Sequence, residues 1–82
     1  MARVTRSMAW DVIEILERCA AVAGIEIPKD VSPDTELDGA KCMAVVSSER
    51  KLRSFNSKPK MTPLEMAANF LLPENHEECY PL

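Results

Sequence analysis

Glycine is scarce in this chain, with only Gly24 and Gly39 among 82 residues. A loop that cradles a phosphate through its backbone N–H groups needs several glycines at fixed spacing. Histidine is scarcer still, because His76 is the only one, and its charged segment offers a nucleophile–base pair neither apolar enclosure nor a third orienting group. These shortages exclude phosphate-loop chemistry and predict a protein that is not an enzyme and holds no cofactor.

Cysteine provides no framework either, because Cys19, Cys42 and Cys79 are odd in number and widely spaced. Such thiols are typical of a reducing compartment. His76 and Cys79 have the spacing of one pair of metal ligands, but structural zinc sites usually have two such pairs and the second is missing. We therefore expect no disulfide framework and no bound metal.

Long hydrophobic runs are also missing. No stretch of about 20 apolar residues is available to span a bilayer, and the charged first residues are not followed by the apolar region of a signal peptide. We expect no membrane among the partners and a cytoplasmic location.

The chain does have enough apolar material for a core, with 46% hydrophobic and 28% charged residues. This balance is typical of globular proteins and too apolar for a disordered chain. Six prolines divide it into a few regular elements, since proline fixes its own backbone and keeps its predecessor out of the helical region. We predict a single small helical domain, residues 1–82, of the mainly α class: a small bundle of about three helices with a long ordered loop between the first two.

The first helix is predicted over about residues 7–23, with Ser7 as its N-cap and Gly24 as its terminating residue. An advance of about 100° per residue gathers most of the apolar side chains, including Val22, on one broad arc that we expect to be core. The opposite arc is mostly polar and holds Asp11, Glu14, Glu17, Arg18 and Ala21, together with Trp10, the only tryptophan.

Residues 24–39 are predicted to be an ordered loop, because their prolines forbid a continuous helix. Ser32 as an N-cap and Pro33 at the first helical position would begin a single helical turn. The Asp38-Gly39 pair predicts a sharp turn at the end of the loop. Aliphatic residues within the loop are available to hold it against the core.

The second helix is predicted over about residues 40–55. Its first half carries an apolar patch, whereas Glu49 and Arg53 fall on the same face further along and have the i, i+4 spacing of an ion pair. This pattern favours a helix with a buried first half and a solvated basic end. A short strand over 42–46 stays open as an alternative, because periodicity does not distinguish short β-branched runs from buried helix.

The last helix has the sharpest local signature. Thr62 and Glu65 form a capping box around a proline, in which the Thr62 hydroxyl accepts the N–H of Glu65 and the Glu65 carboxylate reaches back. We predict a helix over about residues 63–72, ended by Pro73 and followed by a polar tail over 73–82.

Charge is distributed in blocks along the chain. Residues 26–38 hold five acids against one lysine, giving −4, residues 39–61 hold six cations against one acid, giving +5, and residues 62–82 hold four acids, giving −4. The net charge of −3 therefore hides a basic centre between acidic flanks. We expect these segments to fold against one another and to neutralise each other in part.

Two features are not explained by a helical core: Trp10 on a polar face and the basic segment 50–60. Tryptophan is enriched among binding hot spots because it buries a large area at low entropic cost. We predict a non-catalytic protein-binding module, such as a small regulator, adaptor or inhibitor, whose partner is a larger protein or complex with an acidic surface. The candidate partner-binding residues are Trp10, Arg50, Lys51, Arg53, Lys58 and Lys60.

Two alternatives concern the same residues. Segment 50–60 combines five cations with Phe55, which suits phosphate contacts and stacking on one base of a nucleic acid. The pI of about 5.1 makes a nucleic acid the less favoured partner. The alternative for Trp10 is packing against Tyr80 or Leu82 of the tail.

Parts of the chain resemble an acyl carrier protein. Val31–Leu37 resembles the loop after that family's first helix, Gly39–Met43 the start of its second helix, and Thr62–Leu72 its last helix. The resemblance implies a helical carrier with phosphopantetheine on a serine, but this chain has Cys42 at that position. A degenerate acyl-carrier-like domain is therefore the weaker alternative, and it requires covalent modification at Cys42 or a nearby serine.

Overall fold

The computed structural model describes residues 4–71, and within them it confirms the mainly α fold with three helices and a long loop after the first. The predicted tail over 73–82, including His76 and Cys79, lies outside the described residues. The regular elements are α1 (Arg6–Ala23), β1 (Leu37–Asp38), α2 (Gly39–Arg50), β2 (Lys60–Met61), α3 (Pro63–Ala68) and a 3-10 turn (Asn69–Leu71).

Helix α1 begins one residue earlier than predicted, because Thr5 and not Ser7 is the N-cap. The Thr5 hydroxyl accepts the backbone N–H of Met8 at 3.2 Å. Both hydroxyl residues suit an N-cap, and the sequence pattern does not rank them. The end of the helix is as predicted, since Gly24 adopts a left-handed φ of 71° and donates its N–H to the carbonyl of Ala20.

Helix α2 begins one residue earlier and ends five residues earlier than the predicted 40–55. The helix ends at Arg50, where Lys51 takes a left-handed φ of 56° and donates its N–H to the carbonyl of Ser47. After Val46, every residue of the helix is exposed or half-buried. No buried side chain in this part stabilises a longer helix. Glu49 accepts a hydrogen bond from Arg18 of α1, and Arg53 lies beyond the end of the helix.

The alternative of a strand over 42–46 is wrong, because the segment is helical. Cys42, Met43 and Val46 are completely buried, and their i, i+1, i+4 spacing places them on one face of α2. This face meets α1 and α3 in a single core. The core cluster consists of Val12, Ile13, Leu16, Val31, Leu37, Cys42, Met43, Val46, Met61, Met66 and Ala67.

The long loop is ordered, as predicted, but contains a hydrogen-bonded turn in place of the predicted helical turn. The Thr35 N–H donates to the carbonyl of Ser32 at 3.0 Å, and the Thr35 hydroxyl accepts the N–H of Ser32 at 2.9 Å. Pro33 is fully buried, and its carbonyl accepts the N–H of Leu64 at 3.2 Å. The loop is therefore attached to the start of α3.

Asp38 and Gly39 form a strand-to-helix junction and not the predicted sharp turn. Strand β1 pairs antiparallel with β2, with Leu37 opposite Met61 and Asp38 opposite Lys60. Asp38 also caps α2, since its Oδ1 accepts the N–H of Lys41 at 3.0 Å. The junction is not visible in the sequence, because each strand has two residues and no alternation to recognise.

The capping box of α3 is confirmed. The Thr62 hydroxyl accepts the N–H of Glu65 at 3.1 Å, and Glu65 Oε1 accepts the N–H of Thr62 at 3.0 Å. The Thr62 N–H, followed by the Lys58 ammonium, lowers the pKa of the Glu65 carboxyl. The α-helix ends at Ala68 and is followed by the 3-10 turn Asn69–Leu71, whereas the predicted end at 72 lies outside the described residues.

Thr62→Ala is expected to lower the free energy of unfolding by about 1 kcal/mol, because it leaves the Glu65 N–H without its capping acceptor. Thr62→Ser keeps the hydroxyl and is expected to retain most of that stability. Urea unfolding of the three proteins followed by circular dichroism measures the difference. Equal midpoints for the alanine variant and the native protein would contradict a stabilising role for the capping box.

Within residues 4–71, no helix combines the length and the apolar character needed to cross a membrane.

Candidate functional site

Trp10 lies on the side of α1 opposite the buried stripe and is 50% exposed. The helical advance of about 100° per residue places Glu14 and Glu17 on the same outer ridge, and both are exposed. The buried residues of α1 form the other side of the helix and are Ala9, Val12, Ile13, Ile15 and Leu16. The core within residues 4–71 therefore does not account for the indole. Tyr80 and Leu82, the alternative contacts predicted for Trp10, lie outside the described residues.

Arg50, the last residue of α2, connects that helix to the turn of α1 that carries Trp10. Its guanidinium lies 3.5 Å from Asp11 Oδ2 and stacks 4.8 Å from the centroid of the Phe70 ring. The first contact is an ion pair and the second a cation–π interaction. Both contacts of Arg50 are made within the protein. The contact with Asp11 joins the end of α2 to the residue that follows Trp10.

The next cations continue outward from this junction. Lys51 is exposed and occupies the left-handed position that ends α2. Arg53, three residues past the helix end, is also exposed. Arg50 therefore lies beside the turn of α1 that carries Trp10, and Lys51 follows Arg50 in the chain. We call these three residues, together with Arg53, the Trp10 region.

Lys58 and Lys60 are at the other end of α2. The Lys58 ammonium lies 2.9 Å from Glu65 Oε2. Lys60 is exposed and faces Asp38 across the two-stranded sheet, next to the start of α2. A helix of 12 residues is about 18 Å long, so the basic segment 50–60 does not form one continuous patch. The Lys58–Glu65 pair joins the basic segment to the acidic segment 62–82, as expected, whereas Arg50 pairs with Asp11 of the first 25 residues, which carry no net charge.

The prediction that Val22 belongs to the core was wrong, because the residue is 93% exposed. It forms one wall of an open apolar groove of about 470 Å³ between the last turns of α1 and the outer face of α2. The helical period places Val22 near the buried arc, but only the position of α2 decides which part of the arc is covered. This α1–α2 groove is lined by Arg18, Cys19, Val22, Ala23, Ile25, Lys41, Ala44, Val45, Ser48 and Glu49.

Of the two kinds of attachment site that the carrier alternative allows, Cys42 and a nearby serine, the cysteine is inaccessible. Cys42 is completely buried against α1 and α3, and burial, followed by the charge of Asp38, raises the pKa of its thiol to about 11. Transfer of phosphopantetheine needs a group that can reach the transferase. No group of three or more potential metal-ligating side chains occurs among the described residues.

A scan of the chain against models of protein families, and searches of curated proteins and of solved structures, found no match.

Proposed function

We propose that the protein is a non-catalytic protein-binding module that contacts a larger protein through the Trp10 region. The observation that supports this most strongly is the half-exposed indole of Trp10 on a helix ridge whose own core lies on the opposite side. A tryptophan left in water forgoes the burial of a large apolar area, which a partner surface supplies.

The charges around Trp10 define the partner further. Lys51 follows Arg50 at the end of α2, Arg53 is two positions further along the chain, and both residues are exposed. Their positive charge favours a partner with acidic residues next to the pocket that receives the indole, because complementary charges at the rim raise the association rate and fix the orientation. A small regulator, adaptor or inhibitor acts by such an interface without any chemistry of its own.

Trp10→Ala is expected to weaken binding of the partner at least tenfold, the effect of losing a central aromatic anchor. The measurement is affinity purification of the tagged protein from the cells that make it, with the co-purified proteins quantified by mass spectrometry. Phe55→Ala is the matched control, because Phe55 is also an exposed aromatic, at 39%, but lies in the loop after α2.

A partner retained by the native protein and by Phe55→Ala, but lost with Trp10→Ala, supports the proposal. Lys51→Glu is expected to weaken the same partner several-fold at low salt and to have less effect at high salt. Retention of every specific partner by Trp10→Ala would contradict the proposal. Recovery of nucleic acid, released with a steep dependence on salt, would favour the nucleic-acid alternative instead.

A further inference from the structure

The α1–α2 groove is an apolar surface that residues 4–71 leave uncovered. Its floor is formed by the half-buried side chains of Cys19, Ile25 and Val45, and its wall by Val22, which is 93% exposed. Its charged residues are few. An exposed aliphatic wall beside a half-buried aliphatic floor is the arrangement that a docked apolar side chain completes.

The size of the groove selects what fits it. Along α2 the lining runs from Lys41 to Glu49, a distance of about 12 Å at the helical rise, or about two turns of a second helix. A stable interface between two copies of a protein needs roughly 20 to 30 residues from each side, whereas ten residues line this groove. The dimensions therefore favour a short helical segment over a second copy of this chain.

The charge of the groove selects the chemistry of that segment. Arg18 and Glu49 neutralise each other, with Nη2 and Oε1 separated by 2.7 Å. Lys41 is exposed and, within residues 4–71, forms no ion pair. The three charged residues sum to +1, so an acidic residue on the bound segment complements Lys41.

We propose that the α1–α2 groove binds a short amphipathic helix of a partner protein, with aliphatic side chains at i and i+3 or i+4 and an acidic residue beside Lys41. This is the helix-in-groove mode of recognition. This proposal rests on the proposed function only in that the ligand is a protein. The binding surface is different, because the groove is separate from the Trp10 region. Val22 and Trp10 are 12 positions apart on α1, about 18 Å along the helix axis.

The probe is a displayed library of helical peptides of about three turns, in which aliphatic, acidic and basic residues are equally represented. Selection against the whole protein is expected to enrich aliphatic pairs at i, i+3 or i, i+4 together with one aspartate or glutamate. The affinity of a selected peptide is then measured by fluorescence anisotropy.

Val22→Gln is expected to weaken the selected peptide about tenfold, because it removes an apolar wall of the groove. Its matched control is Ala21→Gln, one position away on the outer ridge and exposed, which is expected to have less than a twofold effect. Lys41→Glu is expected to weaken binding several-fold at low salt only. Lys29→Glu, in the exposed part of the loop, controls for net charge and is expected to leave affinity unchanged.

Each alternative occupant gives its own result. An absence of binders, enrichment of basic peptides, or peptides insensitive to both Val22→Gln and Lys41→Glu would overturn the proposal. A dimer in analytical ultracentrifugation that Val22→Gln dissociates would assign the groove to a second copy and would also overturn it. Peptides that Trp10→Ala releases and Val22→Gln retains would contradict the groove while supporting the Trp10 region.

Discussion

Gly39→Ala is expected to lower the free energy of unfolding by about 3 kcal/mol, a large fraction of the stability of a domain of this size. A Cβ atom at Gly39 would overlap the backbone carbonyl oxygen of Lys58 and would lie 2.8 Å from Met61 Cγ. A backbone oxygen has no alternative rotamer, so the overlap is relieved only if β2 moves away from the start of α2.

Alanine has a higher helix propensity than glycine, which would raise the free energy of unfolding by about 1 kcal/mol. The loss from the overlap with Lys58 is expected to be larger than this gain. Thermal unfolding should show the midpoint falling by roughly 15 °C, given about 4 to 8 °C per kcal/mol for a domain this small. The Gly39 N–H donates a hydrogen bond of 3.2 Å to the carbonyl of Pro59, which joins the same two segments. The displacement caused by the alanine side chain is expected to weaken this hydrogen bond.

Gly24→Ala is the matched control for Gly39→Ala. Gly24 has a φ of 71°, and a Cβ there would meet nothing within 4 Å. Its substitution therefore carries only the cost of alanine in the left-handed region, about 1 to 2 kcal/mol. If Gly39→Ala were as stable as Gly24→Ala, the close approach of β2 to α2 would not be a constraint on this fold.

The difference between these two glycines explains how much of the fold could be predicted from the sequence. Gly24 ends α1, and Thr62 with Glu65 begins α3, through contacts within one or two turns, so their residue types are sufficient evidence. Gly39 was predicted only as a sharp turn. Its actual role depends on Lys58 and Met61, about 20 positions away, and no local pattern contains that information.

The same distinction applies to the candidate sites. The helical period of α1 correctly placed Trp10 opposite the core, because one helix defines its own polar side. It wrongly placed Val22 in the core, because α2 covers only part of the apolar arc. The basic segment was treated as one surface, whereas the structure separates Arg50 from Lys58 by directing them to Asp11 and Glu65 on different helices.

The two candidate surfaces are related by the position of α2. Its C-terminal end is held beside Trp10 by the Asp11–Arg50 ion pair, and its outer face forms one side of the α1–α2 groove. The Arg18–Glu49 pair lies between the two regions and borders the groove. A change in how α2 packs on α1 would therefore alter both surfaces, so each binding variant needs its stability measured alongside its affinity.

Raising the pH from about 9 to 11 is expected to lower the free energy of unfolding by about 2 kcal/mol through Cys42 alone. The Cys42 thiol is completely buried, and burial, followed by the negative charge of Asp38, raises its pKa from 9.0 to about 11. The unfolded chain ionises this thiol near its ordinary pKa, whereas the folded chain keeps the proton. The contribution is therefore fully present below pH 9 and is lost as the pH rises toward 11.

Urea unfolding at a series of pH values, comparing the native protein with Cys42→Ala, isolates this contribution, because all other alkaline titrations are common to both proteins. The native protein should lose more stability than the variant between about pH 9 and 11. If the native protein and Cys42→Ala had parallel profiles, the Cys42 thiol would ionise in place. Such a thiol would not be shielded by the core, which would contradict its complete burial among the helices.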